Sequence, residues 1–239
     1  MSEGDCMKIL ISPSKTMHYV HSKDVHEHVF HHEKTTLLKQ LKSFDTNALA
    51  MLYQSSKRIA EENYQRFQRF NEDSKAIFSY TGAQFKALDA ERLPKESLDF
   101  LNQHLYIMSG LYGLVRPFDT IGLYRLPMGV TLDQPLKKYW IEPLKRFLKD
   151  DTILNLTSQE YSEALCNSLH IINVDFYIKK SGKLKKQAME IKKQRGQLVK
   201  YLALKKTLSL DVIRGYKEDG YCYNQAYSSK QNIVFIRTA

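Results

Sequence analysis

Apolar and polar residues follow patterns that predict both strands and helices. Short apolar runs predict buried strands, because a strand covered on both faces has few polar positions. Apolar residues spaced three and four positions apart predict helices. The predicted strands are Lys8–Ile11, Leu105–Met108, Thr152–Leu156, Ile171–Ile178, Tyr221–Ala226 and Ile233–Ile236. The predicted helices are Glu33–Lys42, a helix from an N-cap at Asp45 to Gln54, Ser56–Phe70, Ser74–Tyr80, Ala83–Asp89, Leu136–Leu148, Lys183–Leu204 and Leu208–Tyr216.

The order of these elements predicts a mixed α/β fold. Strands and helices alternate irregularly, without an internal repeat or a low-complexity linker. We therefore expect one compact unit over residues 1–239, with a central mixed sheet and a helical insertion at about 33–103. Pro143 predicts a kink or a new start within its helix. Thr157 and Glu160 have the spacing of a capping box.

Composition narrows the class of protein. The 239 residues are 43% hydrophobic and 26% charged, which is typical of a globular domain with a real core. No apolar run reaches the roughly 18 residues that span a bilayer, and no signal peptide is evident. Three cysteines without a C-x-x-C spacing predict reduced thiols. We expect a cytoplasmic protein with no membrane association and no cofactor.

A histidine-rich segment at 17–32 has no supporting carboxylate or cysteine pattern. It predicts a surface loop rather than a metal site. Its histidines are His18, His21, His26, His28, His31 and His32.

The positive charge is concentrated in one segment. The formal net charge is +10, and residues 179–206 hold eleven Lys and Arg but one acid, Glu190. The rest of the chain is balanced, with twenty-five basic and twenty-five acidic residues. Charge localised in this way is typical either of a polyanion-binding surface or of a solvated helix face.

Within the predicted helix Lys183–Leu204, Arg195 lies among apolar positions. A guanidinium on an apolar face needs a partner, because burying it unpaired is costly. Arg195 is therefore either half of a structural ion pair or a ligand for a phosphate or carboxylate in a cleft. Gly196 allows another backbone or a ligand to come close. The predicted apolar stripe is Leu184, Ala188, Ile191, Leu198 and Leu202.

The stretch 109–129 combines backbone freedom with charged side chains. It contains four of the ten glycines and two of the six prolines, together with Arg116, Asp119 and Arg125. A glycine-rich turn after a buried strand is a frequent place for a binding site in α/β proteins. The alternative is a purely structural Ω-like connection with two surface arginines.

Several polar residues follow predicted strands and are expected to converge if those strands are parallel neighbours. The predicted pocket contains Lys15, Arg116, Arg125, Ser158 and Arg195 with Asp119 and Glu160. Such a pocket suits a nucleotide or a nucleic-acid backbone. The two carboxylates either orient the arginines or act as general acid and base. Tyr112 and Tyr124 are candidates for stacking on a base.

Five ordered motifs resemble those of the YaaA family of bacterial peroxide-stress resistance proteins. SGLYGLVRPFDTIGLYRLPMG at 109–129 resembles the central motif of that family, and ISPSK at 11–15 resembles ISPAK. NLTSQEY at 155–161 resembles NLASxEY, and KKQRG at 192–196 resembles KKARG. Gly220-Tyr221 and Val234–Arg237 resemble the family's ending. The chain departs at 82–85, where GAQF replaces the usual GDVY and the acid is absent.

The resemblance implies a YaaA-like fold and a role in limiting oxidative damage by hydrogen peroxide. It also implies DNA as partner, a helix-hairpin-helix element and a context of iron homeostasis. The turn at Thr81-Gly82 is one place for that element.

Three functions remain open from the sequence. The first is sequence-tolerant binding of DNA, expected to be double-stranded, through Lys185, Lys186, Lys192 and Lys193 and the cationic pocket. The second is an enzyme that acts on a nucleotide or a nucleic-acid base, with Asp119 or Glu160 as the catalytic candidate. The third is an interaction protein whose basic helix docks on an acidic partner. Motifs of standard nucleotide-binding, hydrolase and zinc-protease sites are absent from the sequence.

Overall fold

Parallel strands form the centre of a mixed eight-stranded sheet. The computed structural model describes residues 7–24 and 27–238. Its strands are β1 (Met7–Ile11), β2 (Ser74–Lys75), β3 (Leu105–Ser109), β4 (Gly113–Val115), β5 (Thr120–Ile121), β6 (Thr152–Leu156), β7 (His170–Lys180), β8 (Lys183–Lys185), β9 (Cys222–Tyr223) and β10 (Asn232–Thr238). The sheet order is β4-β3-β1-β6-β7-β10-β9, with β8 paired to β7. Strands β3, β1, β6, β7 and β10 are parallel, whereas β4, β8 and β9 are antiparallel to their neighbours.

Helices cover the sheet and fill the connection between β1 and β3. They are α1 (His31–Ser43), α2 (Thr46–Tyr53), α3 (Lys57–Gln68), α4 (Ala76–Ser79), α5 (Ala83–Leu88), α6 (Lys95–His104), α7 (Leu136–Leu148), α8 (Gln159–Ser162), α9 (Ala188–Lys205) and α10 (Leu210–Arg214). Helices α1 to α6 all lie between β1 and β3. The predicted mixed α/β class, with a central mixed sheet and a helical insertion, is confirmed.

The glycine-rich stretch packs against the single tryptophan. Trp140 of α7 is fully buried, and its Nε1–H donates to the Gly110 carbonyl oxygen at 2.9 Å. Gly113 has φ +71°, and a Cβ there would lie 2.5 Å from the Trp140 ring. Only glycine combines that backbone angle with that contact. Helix α7 is continuous through Pro143, so it does not start anew there.

The predicted start of the helix Lys183–Leu204 is wrong. Lys183–Lys185 forms β8, which pairs antiparallel with the end of β7. The two residues between the strands, Ser181 and Gly182, have φ +50° and +75°. Positive φ at both positions gives a tight hairpin turn whose twist matches that of the strands. Leu184 therefore lies in a strand, and the helix begins at Ala188.

Of two predicted helix caps, one is confirmed and one is wrong. The Asp45 side chain accepts the Ala48 N–H at 2.7 Å and caps α2. Thr157 does not cap α8, because its hydroxyl donates to Asn155 Oδ1 at 2.7 Å. Glu160 is also engaged elsewhere, since its Oε1 accepts the Gly129 N–H.

Two of the C-terminal elements are shorter than predicted, whereas the last strand, predicted as Ile233–Ile236, is longer. The region predicted as Leu208–Tyr216 forms the five-residue helix α10. Tyr221–Ala226 contains the two-residue strand β9 and part of a 3-10 helix at Gln225–Tyr227.

Cys166 and Cys222 are free thiols, whereas Cys6 lies outside the described residues. Among residues 7–24 and 27–238, no helix has the length and apolar character needed to cross a membrane.

Candidate nucleic-acid interface

The strand order reverses around β1, and a cleft lies at that point. The chain runs from β1 to β3 on one side and later to β6 on the other. The carboxyl ends of these three parallel strands therefore share one edge of the sheet, as the sequence predicts. Ligands in open α/β sheets bind in the crevice beyond such a reversal.

The cleft has a volume of about 260 Å³ and is lined by four parts of the chain. These are the loop after β1, the start of α5, the segment around α8 and the first half of α9. The lining residues are Ser12, Pro13, Ser14, Lys15, Gly82, Ala83, Gln84, Ser158, Glu160, Tyr161, Met189, Lys192 and Arg195. Four residues of the predicted pocket thus meet here, namely Lys15, Ser158, Glu160 and Arg195, and Lys192 of the predicted basic helix joins them.

Close packing fixes the floor of the cleft. The Ser158 N–H donates to Ser12 Oγ at 2.7 Å and ties the loop after β6 to the loop after β1. A Cβ at Gly82 would lie 2.6 Å from Ser14 Oγ, so the absence of a side chain lets the start of α5 approach that loop. Ser158 is therefore a structural link in the cleft.

Arg195 and Gln84 bring buried donors to the cleft. Gln84 is 6% exposed, and Arg195 is partly buried. Within the described part of the chain, Arg195 Nε and Gln84 Nε2 are buried and have no protein hydrogen-bond partner. Burial lowers the pKa of Arg195, and the Asp175 carboxylate opposes that effect. Arginine nevertheless keeps its charge, so both residues offer donors to an acceptor on a ligand.

Glu160 is the carboxylate of the cleft. Its Oε1 accepts the Gly129 N–H at 3.0 Å, which orients the group beside the cations. Burial raises the pKa of neighbouring Tyr161 well above its usual value. The Tyr161 phenol therefore keeps its proton at neutral pH and remains a donor.

Arg125 lies in a smaller cavity next to the cleft. This space, of about 20 Å³, shares Lys15 and Tyr161 with the cleft and is also lined by Tyr124 and Arg125. In the described part of the chain, Arg125 Nε is another buried donor that has no protein partner. Arg125 thus adjoins the predicted pocket.

Arg116 and Asp119 do not line the cleft. Asp119 is buried, and its Oδ2 accepts the backbone N–H of Arg116 at 2.8 Å. The Arg116 side chain is exposed. The two residues are three positions apart in the sequence, so the carboxylate closes a local turn instead of reaching the edge of the sheet.

Tyr112 and Tyr124 belong to the core and are not stacking platforms. Tyr112 is fully buried, and its hydroxyl accepts the Gly122 N–H at 2.9 Å. Tyr124 is 4% exposed and bonds through its hydroxyl to Tyr80 and Ser109 at 2.9 and 2.6 Å. Burial raises the pKa of Tyr124 to about 12.

Gly196 brings α9 against α5. A Cβ at this position would lie 2.0 Å from the Gln84 carbonyl oxygen, so the predicted close approach is confirmed and the partner is a backbone. The predicted apolar stripe is partly wrong, because the helix starts later. The buried residues of α9 are Gln194, Gly196, Leu198, Val199, Leu202 and Ala203. Gln194 is satisfied by Tyr216 and Asp219, at 2.7 and 2.8 Å.

The basic segment divides into paired and exposed cations. Lys186 pairs with Asp175, Lys193 with Asp219 and Lys200 with Asp89, at 2.6, 2.8 and 3.0 Å. Lys180, Lys183 and Lys185 form what we call the lysine hairpin, at the end of β7 and in β8. All three are exposed, and none has an ion-pair partner among the residues that the structure describes.

The lysine hairpin extends beyond the sheet edge that carries the cleft. Asn155 of β6 pairs with Asn173 of β7, but β7 continues to Lys180. At about 3.3 Å per residue, β7 runs roughly 20 Å past the end of β6. Lys180 lies opposite Lys183 in the hairpin, and Lys185 lies opposite Ile178. Because side chains two apart share a face, the three lysines project from one side.

The histidine-rich segment forms no metal site in the part that is described. There, no group of three or more His, Cys, Asp or Glu residues is placed to hold a metal ion. His28 is buried and lies 3.0 Å from Glu72. His26 lies outside the described residues.

Sequence reasoning missed Gln84, Tyr161 and Met189 as lining residues. Tyr161 lies in the NLTSQEY motif, which was a usable signal. Gln84 lies in GAQF at 82–85, which was a weaker signal because the chain departs there from the usual GDVY. Met189 gave no signal, because a methionine on a helix carries no pattern that marks a site. Met189 is 68% exposed at the edge of the cleft.

Comparisons with a family model and with curated proteins identify the same family. The family model described as peroxide stress protein YaaA matches residues 7–227. A UPF0246 protein from Finegoldia magna is 31% identical, with 97% of this chain and 98% of that protein covered. Another from Rickettsia rickettsii is 34% identical, with 97% and 100% covered, and one from Legionella pneumophila is 32% identical, with 97% and 99% covered. The match over nearly the whole described chain shows that this protein belongs to the YaaA (UPF0246) family of peroxide stress proteins.

Proposed function

We propose that this protein binds the backbone of double-stranded DNA through the lysine hairpin and the cationic residues of the cleft. The observation that carries the proposal is the set of three exposed lysines on one side of a projecting hairpin, without ion-pair partners among the described residues. Phosphate contacts by such residues supply affinity without reading sequence.

The hairpin and the cleft lie close enough to contact one strand. Met189 lies four positions after Lys185, so their Cα atoms are at most about 14 Å apart. That distance spans roughly four nucleotides of one strand. Lys15, Lys192 and Arg195 then add cations at the cleft to those of the hairpin.

We assign no DNA contact to the short helices around Gly82. Helices α4 and α5 are four and six residues long, and α5 packs against α9 at Gly196. The proposal therefore assigns the backbone contacts to the lysine hairpin rather than to a helix-hairpin-helix element. The family's name supports a role for this binding during oxidative stress, and a DNA partner is consistent with a cytoplasmic location.

The test compares two charge-matched triple variants by fluorescence anisotropy with labelled duplex DNA. Lys180→Gln/Lys183→Gln/Lys185→Gln should weaken binding at least about tenfold, because three phosphate contacts are lost. Lys39→Gln/Lys42→Gln/Lys145→Gln removes the same charge from exposed positions on α1 and α7 and should leave binding nearly unchanged. Equal effects of both variants, or no binding by the wild type, would refute the proposal.

A second candidate function rests on Glu160. A carboxylate oriented by a backbone N–H beside Lys192 and Arg195 suits an enzyme that acts on a nucleotide or a nucleic-acid base. Such an enzyme would release free base from DNA, and Glu160→Gln would abolish the release while the protein still binds DNA. Chromatography of the reaction mixture measures this directly.

A further inference from the structure

The cleft carries groups that a backbone-binding surface does not need. Phosphates offer acceptors only, and the Glu160 carboxylate in the same cleft repels them. Gln84 adds an amide that is more than nine-tenths buried. A ligand that matches both groups must present a donor and an acceptor together.

Nucleobase edges present that combination. A carboxylate accepts from an exocyclic amino group, whereas amide and guanidinium groups donate to ring nitrogens and carbonyl oxygens. Glu160 has its orientation fixed by Gly129, and Gln84 Nε2 and Arg195 Nε are buried donors without a protein partner in the described chain. Tyr161 also lines this cleft.

The size of the cleft admits one such group. Its volume of about 260 Å³ lies just below the roughly 300–1,000 Å³ of pockets for drug-sized ligands. A duplex does not fit, so a base has to leave the stack in order to enter.

Met189 supplies an apolar surface at the entrance. It is one of the few large hydrophobic side chains that are exposed, and it lines the cleft one turn before Lys192. Proteins that unstack DNA commonly insert an apolar side chain such as methionine between bases.

We propose that this cleft holds a single nucleobase displaced from the bound DNA, with Gln84, Glu160 and Arg195 on its edge and Met189 against the stack it leaves. The proposal rests on the proposed function, because the lysine hairpin holds the DNA while the base enters. Displacement costs least where a base is already unpaired. Duplexes with an amino-bearing base opposite an abasic position should therefore bind more tightly than matched duplexes.

One titration measures DNA binding and displacement of the base separately. The DNA is a duplex with a terminal dye and one 2-aminopurine opposite an abasic site. Anisotropy of the dye reports DNA binding, and 2-aminopurine fluorescence rises when that base leaves the stack. The wild type should show both signals saturating together.

Variants of the cleft should separate the two signals. Met189→Ala, at an exposed position that does not threaten folding, should remove most of the fluorescence rise and lower the affinity for the abasic duplex towards that for the matched duplex. Glu160→Gln should reduce the preference for the abasic duplex over the matched duplex by about 5- to 150-fold, the value of one base contact. The lysine-hairpin variant should weaken both signals together and reach the full fluorescence rise at saturation.

A failure of base capture can be distinguished from a failure of the proposed DNA binding. Saturating anisotropy without a fluorescence rise would overturn base capture and leave backbone binding intact. A fluorescence rise that survives both Met189→Ala and Glu160→Gln would also overturn it, since the base would then occupy another site. Absence of both signals would overturn the proposed function and base capture together.

Discussion

Replacing Gly196 by alanine should separate α9 from α5 and destabilise the protein. The new Cβ would lie 2.0 Å from the Gln84 carbonyl oxygen and 2.9 Å from Ala87 Cβ. A carbon and an oxygen in contact need about 3.3 Å, so one backbone has to move by about 1.3 Å. Neither neighbour is the end of a flexible side chain that turns away.

The magnitude follows from two opposing terms. Overpacking of this kind costs about 3 kcal/mol, at the upper end of its usual range because a backbone atom is struck. Alanine recovers about 1 kcal/mol through its higher helix propensity. The net loss should be about 2 kcal/mol, which lowers Tm by roughly 4–8 °C in a protein of this size.

Urea unfolding followed by circular dichroism measures this loss. Gly129→Ala is the control, since its Cβ would meet only the Glu160 side chain, at 3.4 Å or more, which is ordinary contact. Because Gln84 and Arg195 both line the cleft from these two helices, Gly196→Ala should also reduce the 2-aminopurine signal. A variant as stable as the wild type would refute the inferred packing of α9 on α5.

Two further predictions concern stability. Burial raises the pKa of Glu72, but hydrogen bonds from His28 and Lys34 outweigh it and lower the pKa to about 2. This depressed pKa stabilises the fold above about pH 4.5 by about 3 kcal/mol, and the contribution is lost as pH falls from about 4.5 towards 2. Glu72→Gln should lose this contribution at pH 7, and its free energy of unfolding in urea should fall less steeply as the pH is lowered from about 4.5 towards 2. An unchanged pH dependence would contradict the reasoning. Trp140→Phe should cost about 3 kcal/mol by the same assay, because it leaves the buried Gly110 carbonyl without its donor and opens a cavity; a loss below about 1 kcal/mol would show that the hydrogen bond matters little.

The core elements were predictable because burial leaves a periodic signal. Lys8–Ile11 and Thr152–Leu156 are short apolar runs, and both are central strands of the sheet. Their parallel pairing, which brings the loops at Lys15 and Glu160 together, follows from the α/β pattern. The chemistry of the cleft was therefore partly predictable from where strands end.

The errors arose where local contacts override periodicity. Lys183–Lys185 continues the helical spacing of the residues after it, but Ser181 and Gly182 form a tight turn that pairs the segment with β7. The sequence predicts Asp119 as a site residue, yet its carboxylate accepts a backbone N–H three positions away. Sequence spacing cannot distinguish a charged group that caps its own turn from one that reaches a cleft.

The salt dependence of duplex DNA binding tests the central claim most directly. With three lysines of the hairpin and Lys15 and Lys192 of the cleft on phosphates, log Kd should rise with log salt with a slope of about 4.5, or roughly 500-fold between 50 and 200 mM. The lysine-hairpin variant should lower that slope by about 2.7, and the control triple variant should not change it. A wild-type slope near zero, or one that the hairpin variant leaves unchanged, would contradict the account.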